Sequence, residues 1–142
     1  MKRMKLILVA VLGLMFSATA CADVPMPVDQ LPDAIKTFVQ QHFPENPIVY
    51  AEKDWDSYEC RLNNGTKVEF NAKGEWKKVD CEMMTVVPAA IIPAPIQEYV
   101  KATFADSPIV KIDKERYGYK VELANDLELM FNKQGAFMGM DD

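Results

Sequence analysis

Histidine occurs once in the 142 residues, at His42, cysteine three times, and the 16 basic residues are outnumbered by 21 acidic ones. Each scarcity removes a class of function. No C-x-x-C or H-E-x-x-H run is present, so the familiar zinc and metalloprotease ligand sets are missing. A G-x-S-x-G nucleophile turn and a Gly-rich phosphate loop are missing too. His42 falls late in a helical stretch beside Phe43, with no nucleophile or acid in the same motif. It reads as a helix-flank residue rather than a general base. The acidic residues are scattered by strand alternation, as on a solvated face, and Asp141-Asp142 reads as a frayed tail rather than a cation site. The expectation is a chain that is not an enzyme, with no catalytic residues, no cofactor and no metal. Its acidity argues against nucleic acid and anionic lipid as partners.

Long apolar runs are equally scarce. The one that stands out is Leu6 to Phe16, about 11 residues, where a bilayer span needs roughly 20. It follows the basic Lys2, Arg3 and Lys5 and precedes small residues, the pattern of an export signal over residues 1–22. Two processing routes compete. Cleavage at Ala20-Cys21-Ala22 gives a soluble chain from Asp23, whereas cleavage before Cys21 gives a lipoprotein anchored there. Ala18 stands where a lipobox usually carries Leu, which favours the first route. The mature chain then has 120 residues, one ordinary domain, and no transmembrane segment. Loss of three basic and no acidic residues takes the formal charge from −5 to −8.

What the chain does have is an internal echo. "NPIVYAEKD" at Asn46–Asp54 returns as "SPIVKIDKE" at Ser107–Glu115, and a shift of 61 residues overlays Met26 to Asp80 on the second half without a gap. Pro32 meets Pro93, Ile35 meets Ile96, Val39 meets Val100, Phe43 meets Phe104, Phe70-Asn71 meets Phe131-Asn132 and Gly74 meets Gly135. Agreement concentrates on apolar and turn positions while charges drift. The expectation is a tandem duplication, with residues 23–142 forming one two-lobed domain from repeats 26–81 and 87–142.

Each copy has the same grammar. Pro32 suits a first helical position, where its missing N–H costs nothing. Ile35, Phe38, Val39 and Phe43, and then Ile96, Tyr99, Val100 and Phe104, fall on one helical face. The period then changes to two. Val49 and Ala51, Tyr58, Cys60 and Leu62, and Val68 and Phe70 alternate with polar residues, as do their counterparts in the second copy. Such alternation marks sheets with one covered and one wet face. "NNGT", "NAKG" and "NKQG" supply the Asn and Gly of tight hairpin turns. The predicted class is α+β, a tandem repeat of helix plus antiparallel β-meander with the helices packed on one face of an open sheet.

The stretch "YECRLNNGTKVEFNAKGEWKKVD", following an "LP..I..FV...FP" helix and an exported N-terminus, resembles the PepSY-like, β-lactamase-inhibitor-like proteins of Bacteroidetes. The resemblance covers essentially the whole mature chain, in two copies. It implies a broad, open sheet surface and relatives that bind or inhibit secreted enzymes, with no catalytic residues to carry over. Asp126 replaces the turn Gly65, and Phe137 replaces Trp76, which leaves those loops open.

Cys60 and Cys81 remain in a compartment that permits pairing. Two strand steps between them exceed the roughly 7 Å that a disulfide tolerates between Cα atoms, which weighs against a bond and leaves pairing open. Cys60 also occupies the position of Val121, as a small core residue would. Trp76, after a Gly bulge, belongs on the Phe70 face in the core. Recognition residues are sought on the wet face, where alternation sends Tyr50, Arg61 and Glu69 outward in the first copy and Lys111, Glu122 and Met130 in the second. Trp55 and Tyr117 stand at the adjoining hairpins. Exposed aromatics beside charges make good anchors, although single exposed aromatics also serve simply to cover sheet edges. The functional expectation is a non-catalytic exported binding module, periplasmic or tethered at Cys21. Its partner would be a protein of the cell envelope or a secreted enzyme. The alternative is a small-ligand carrier with a pocket between sheet and helices.

Overall fold

The computed structural model describes residues 23–141. The expected signal segment, the anchor position Cys21 and Asp142 lie outside the described residues.

Two prolines deliver the chain into two helices, α1 (Asp33–His42) and α2 (Ala94–Thr103). Pro32 stands just before α1 rather than inside it. Its ψ of 145° is extended, and its carbonyl accepts hydrogen bonds from the Ile35 and Lys36 amides at 3.0 and 3.2 Å. Both helices end the same way, with the Phe43 amide donating to the Val39 carbonyl and the Phe104 amide to the Val100 carbonyl, each at 2.7 Å. The predicted stripes face inward. Ile35, Val39, Ile96 and Val100 are buried, Phe38 meets Phe70 edge-on at 5.4 Å, and Tyr99 meets Phe131 likewise at 5.6 Å. Each fully buried aliphatic of this kind stabilises the fold by about 1.5–3 kcal/mol.

The strands are β1 (Val24–Pro25), β2 (Ile48–Lys53), β3 (Ser57–Leu62), β4 (Lys67–Asn71), β5 (Trp76–Asp80), β6 (Ile109–Glu115), β7 (Gly118–Leu123), β8 (Glu128–Asn132) and β9 (Phe137–Asp141). Among the described residues they form one antiparallel sheet of nine strands whose spatial order is the chain order. From the 3-10 turn at Val28–Gln30 to the end of β5, every element begins 61 residues before a counterpart in the second half. The core is a row running straight across the sheet: Ala51, Cys60, Val68, Val79, Ile112, Val121 and Leu129 are successive cross-strand partners, each at most 1% exposed. Both helices pack on this face, and the other face is uncovered among the described residues. The class is α+β, as the alternation of periods predicts.

The halves meet at a seam. There β5 pairs with β6 through Lys78 and Asp113, Val79 and Ile112, and Asp80 and Lys111. The linker Cys81–Pro88 must then cross the end of the seam to reach α2. Glu82 and Met83 take left-handed φ values of 51° and 60°, and the Val87 amide donates to the Ile109 carbonyl at 2.9 Å.

The structure departs from expectation at Val49, which was assigned to the covered face and is instead 60% exposed. A bulge between Ile48 and Tyr50 inserts it as the extra residue and restores the alternation after it. The Asp126 turn, in contrast, keeps its form. Asp126 takes φ 72° where Gly65 takes 91°, and both amides donate to the leucine three residues back at 3.0 Å. Cys60, on β3, and Cys81, just after β5, are free and buried, with β4 lying between those two strands. Burial, helped by the Glu59 charge, pushes the Cys60 thiol up to about 12.

Candidate recognition face

Once the register is fixed, residues of like parity on adjacent strands form rows on the uncovered face. One row reads Tyr50, Arg61, Lys67, Asp80, Lys111, Glu122 and Glu128. The next reads Glu52, Glu59, Glu69, Lys78, Asp113, Lys120 and Met130. All six predicted strand positions therefore share this face. Tyr50, Arg61, Lys111 and Glu122 stand in the first row, and Glu69 and Met130 in the second.

Trp55 follows β2 at its hairpin, 86% exposed, with its amide donating to the Asp54 carboxylate at 2.7 Å. Tyr117, at the β6–β7 hairpin, is 37% exposed. Burial and the nearby Glu115 charge raise the pKa of its hydroxyl. The corresponding hairpins thus present a free aromatic in one half and a half-covered one in the other.

The charges are arranged unevenly. Arg61 lies over the Tyr50 ring at 5.0 Å and pairs with Glu59 at 3.0 Å and Glu52 at 3.4 Å. Around it Asp23, Glu52, Asp54, Ser57, Glu59 and Glu69 line an acidic recess of about 110 Å³. The Asp54 charge, followed by burial and the Glu52 and Glu59 charges, raises the pKa of Asp23. Among the described residues no group of three or more His, Cys, Asp and Glu is arranged to hold a metal ion. Towards the seam the sign changes. Lys78, Lys111 and Lys120 surround Asp113, whose residue is only 7% exposed and whose Oδ1 has no hydrogen-bond partner. Burial raises the pKa of this carboxyl despite the three lysines, which pull it down. Lys120 also pairs with Glu128 at 3.7 Å.

Sequence reasoning missed the acidic recess and Asp113. Glu52, Glu59 and Asp113 have the same parity as Tyr50, Arg61 and Lys111 on their own strands, so alternation marks their face. Their convergence depends on cross-strand register, which single-strand patterns do not contain. His42 ends α1 with its ring 4.5 Å from Phe38, and burial lowers its pKa. It touches nothing on the open face that would make it a base. Trp76 is half-buried against the core, as expected, with Lys114 4.2 Å above its ring. Among the described residues no helix is long and apolar enough to cross a membrane.

A family model described as "Putative beta-lactamase-inhibitor-like, PepSY-like" matches residues 16–66 and again 56–139. The chain belongs to the PepSY-like family. Solved structures show how closely the fold is shared. A protein of Bacteroides thetaiotaomicron described as a "putative calcium-regulated periplasmic protein" is 40% identical, with a TM-score of 0.79 over 84% of this chain and 97% of that one. A "putative periplasmic protein" of the DUF2874 family from Bacteroides vulgatus is 37% identical, with a TM-score of 0.78 over 84% and 97% of the two chains. A second Bacteroides vulgatus protein, a "putative periplasmic protein of unknown function", is 36% identical, with a TM-score of 0.79 over 85% and 100%. No curated protein matches the chain.

Proposed function

We propose that this PepSY-like chain is an exported, non-catalytic protein of the periplasm, free or tethered at Cys21, that recognises a protein partner across its open sheet face. The observation that carries the reading is that broad uncovered face, with Trp55 standing 86% exposed at its margin. Aromatic residues ringed by charge are the side chains that dominate protein recognition when a partner desolvates them. The periplasmic relatives and the inhibitor-like family description support the compartment and the kind of partner, a secreted or envelope enzyme. The two halves are two copies of one unit whose core and turns stayed alike. Their outward positions diverged, Tyr50 against Lys111 and Arg61 against Glu122, so each half makes its own contacts. A fully enclosed carrier pocket between sheet and helices has no room, because Ile35, Ile96, Phe70, Phe131 and Leu129, each 0% exposed, fill that layer.

A photo-crosslinking amino acid placed at Glu59 on the open face, and separately at Gln40 on α1, tests the reading in intact cells. Adducts with an envelope protein should form from Glu59 and not from Gln40. Trp55→Ala should reduce capture more than Tyr117→Ala, and both should leave the melting temperature within about 2 °C of the parent, as surface changes usually do. Adducts from Gln40 alone, or full capture by both aromatic variants, would sink the proposal.

A further inference from the structure

On the helix side, away from the open face, the fold makes one kind of cleft twice. In the first half Val28, Lys36, Val39, Gln40, Phe43, Pro44, Asn46, Pro47 and Ile48 line an open cleft of about 360 Å³. In the second, about 330 Å³ lies between the end of α2 and the start of β6, and it contains the counterpart of every one of those positions. Both volumes fall at the small end of the range that holds organic ligands.

The two clefts differ in what lines them and in where their charge sits. In the first half the chain before α1 runs along β2 as β1 and contributes Val28 alone to the lining. In the second half the linker crosses the seam and contributes Val86 and Val87 as an extra apolar wall. Gln97 stiffens the same wall by donating its side-chain amide to the Ala89 and Ile92 carbonyls at 2.6 and 2.8 Å. The first cleft's lysine is already engaged. Lys36 donates to the Asp29 carbonyl at 3.0 Å and lies 3.7 Å from Asp33. The second cleft's lysine, Lys101, sits one helical turn further on, at the position of Gln40. Among the described residues no carboxylate lies within ion-pair distance of it.

We infer that the second cleft, and not the first, binds a free medium-chain aliphatic carboxylate, its tail against Val86, Val100 and Ile109 and its head at Lys101. The apolar walls supply the driving force and the unengaged cation selects the anionic head. This site is independent of recognition across the open face.

The test is a titration of the isotope-labelled protein with decanoate, followed by amide shifts. Saturable one-to-one binding should move Lys101, Ser107 and Val86 while Gln40 and Asn46 stay still, and butyrate should bind much more weakly. Lys101→Gln should weaken binding about fivefold, the worth of one exposed ion pair. Ala105→Trp, at an exposed position that fills the cleft, should abolish it without lowering the melting temperature. Decanol and decyltrimethylammonium, which keep the tail but not the anion, should each bind at least fivefold more weakly. The inference is overturned by any of four results: no saturation at millimolar decanoate, equal shifts in both clefts, undiminished binding by Ala105→Trp, or equal affinity for decyltrimethylammonium.

Discussion

Two single residues carry tension that neighbouring positions do not. Asp113 is a nearly buried carboxyl with an unpartnered oxygen, and burial raises its folded pKa above its ordinary value of 3.8. A raised carboxyl pKa means that the folded state holds its proton more tightly than the unfolded chain. The stabilising contribution is therefore complete below about pH 4, near the unfolded pKa, and is lost as pH rises through the folded one. Asp113→Asn cannot ionise, so it should melt higher than the parent at pH 7, with the gap closing as the pH is lowered to about 3.5. Melts across that range by circular dichroism would show it; a variant that melts lower than the parent at pH 7 would refute the account. Gly118 is constrained from the other direction. Its φ is +150°, and a Cβ there would run into the Phe131 carbonyl oxygen and the Asn132 backbone of β8. Gly118→Ala should force the strands apart and cost about 1–3 kcal/mol in a denaturant melt. The equivalent Ser57 tolerates its side chain, so the requirement belongs to the second half alone.

At the scale of the element, the paired helices invite the expectation that paired residues weigh the same, and Phe43 and Phe104 show why they do not. Phe43 is 7% exposed and Phe104 is only half-buried, although each lines the cleft at the end of its own helix. Phe43→Ala should cost about 3–4 kcal/mol, as a buried aromatic does, and Phe104→Ala about half as much. Equal losses in equilibrium unfolding would mean that Phe104 is as buried in solution as Phe43. The helices, the strands and their inner faces were legible because 3.6-residue and two-residue periods are written along the chain itself. The asymmetry of these phenylalanines was not, because the same residue stands at the same helical position in both halves. Val49 was misplaced for a related reason: a bulge adds one residue to one strand, and its signature is the partner strand's register, not a local motif. Asp126 fulfilled its turn although the expected glycine was missing, since an aspartate tolerates the left-handed region better than most residues. The outward positions from Tyr50 to Met130 were readable as a face. The recess that gathers Glu52, Glu59 and Asp23 was not, because three strands contribute to it.

At the scale of the molecule, the continuous sheet depends on the seam. Only three residue pairs join β5 to β6, with the Cys81 amide donating to the Val110 carbonyl at 3.0 Å, but Val79 and Ile112, both 0% exposed, carry the core row across it. A unit of about 55 residues buries only about 60% of its chain surface and is marginal alone. Each half therefore draws much of its stability from the other, through contacts that owe nothing to the peptide bond between them. That bond lies in the linker, where Met83 is 48% and Met84 74% exposed. Nicking the folded protein between Met83 and Met84, at an engineered protease site, should release nothing: the two pieces should elute together under native conditions and part only in detergent. Neither piece alone should give a cooperative melt, and mixing them should restore one. A nicked sample that separates on a native column would show that the seam is held by the connecting chain. Survival of the nick would mean that the covalent join between the halves is dispensable once folding is complete, so that either half could be exchanged for a variant of itself without resynthesising the other.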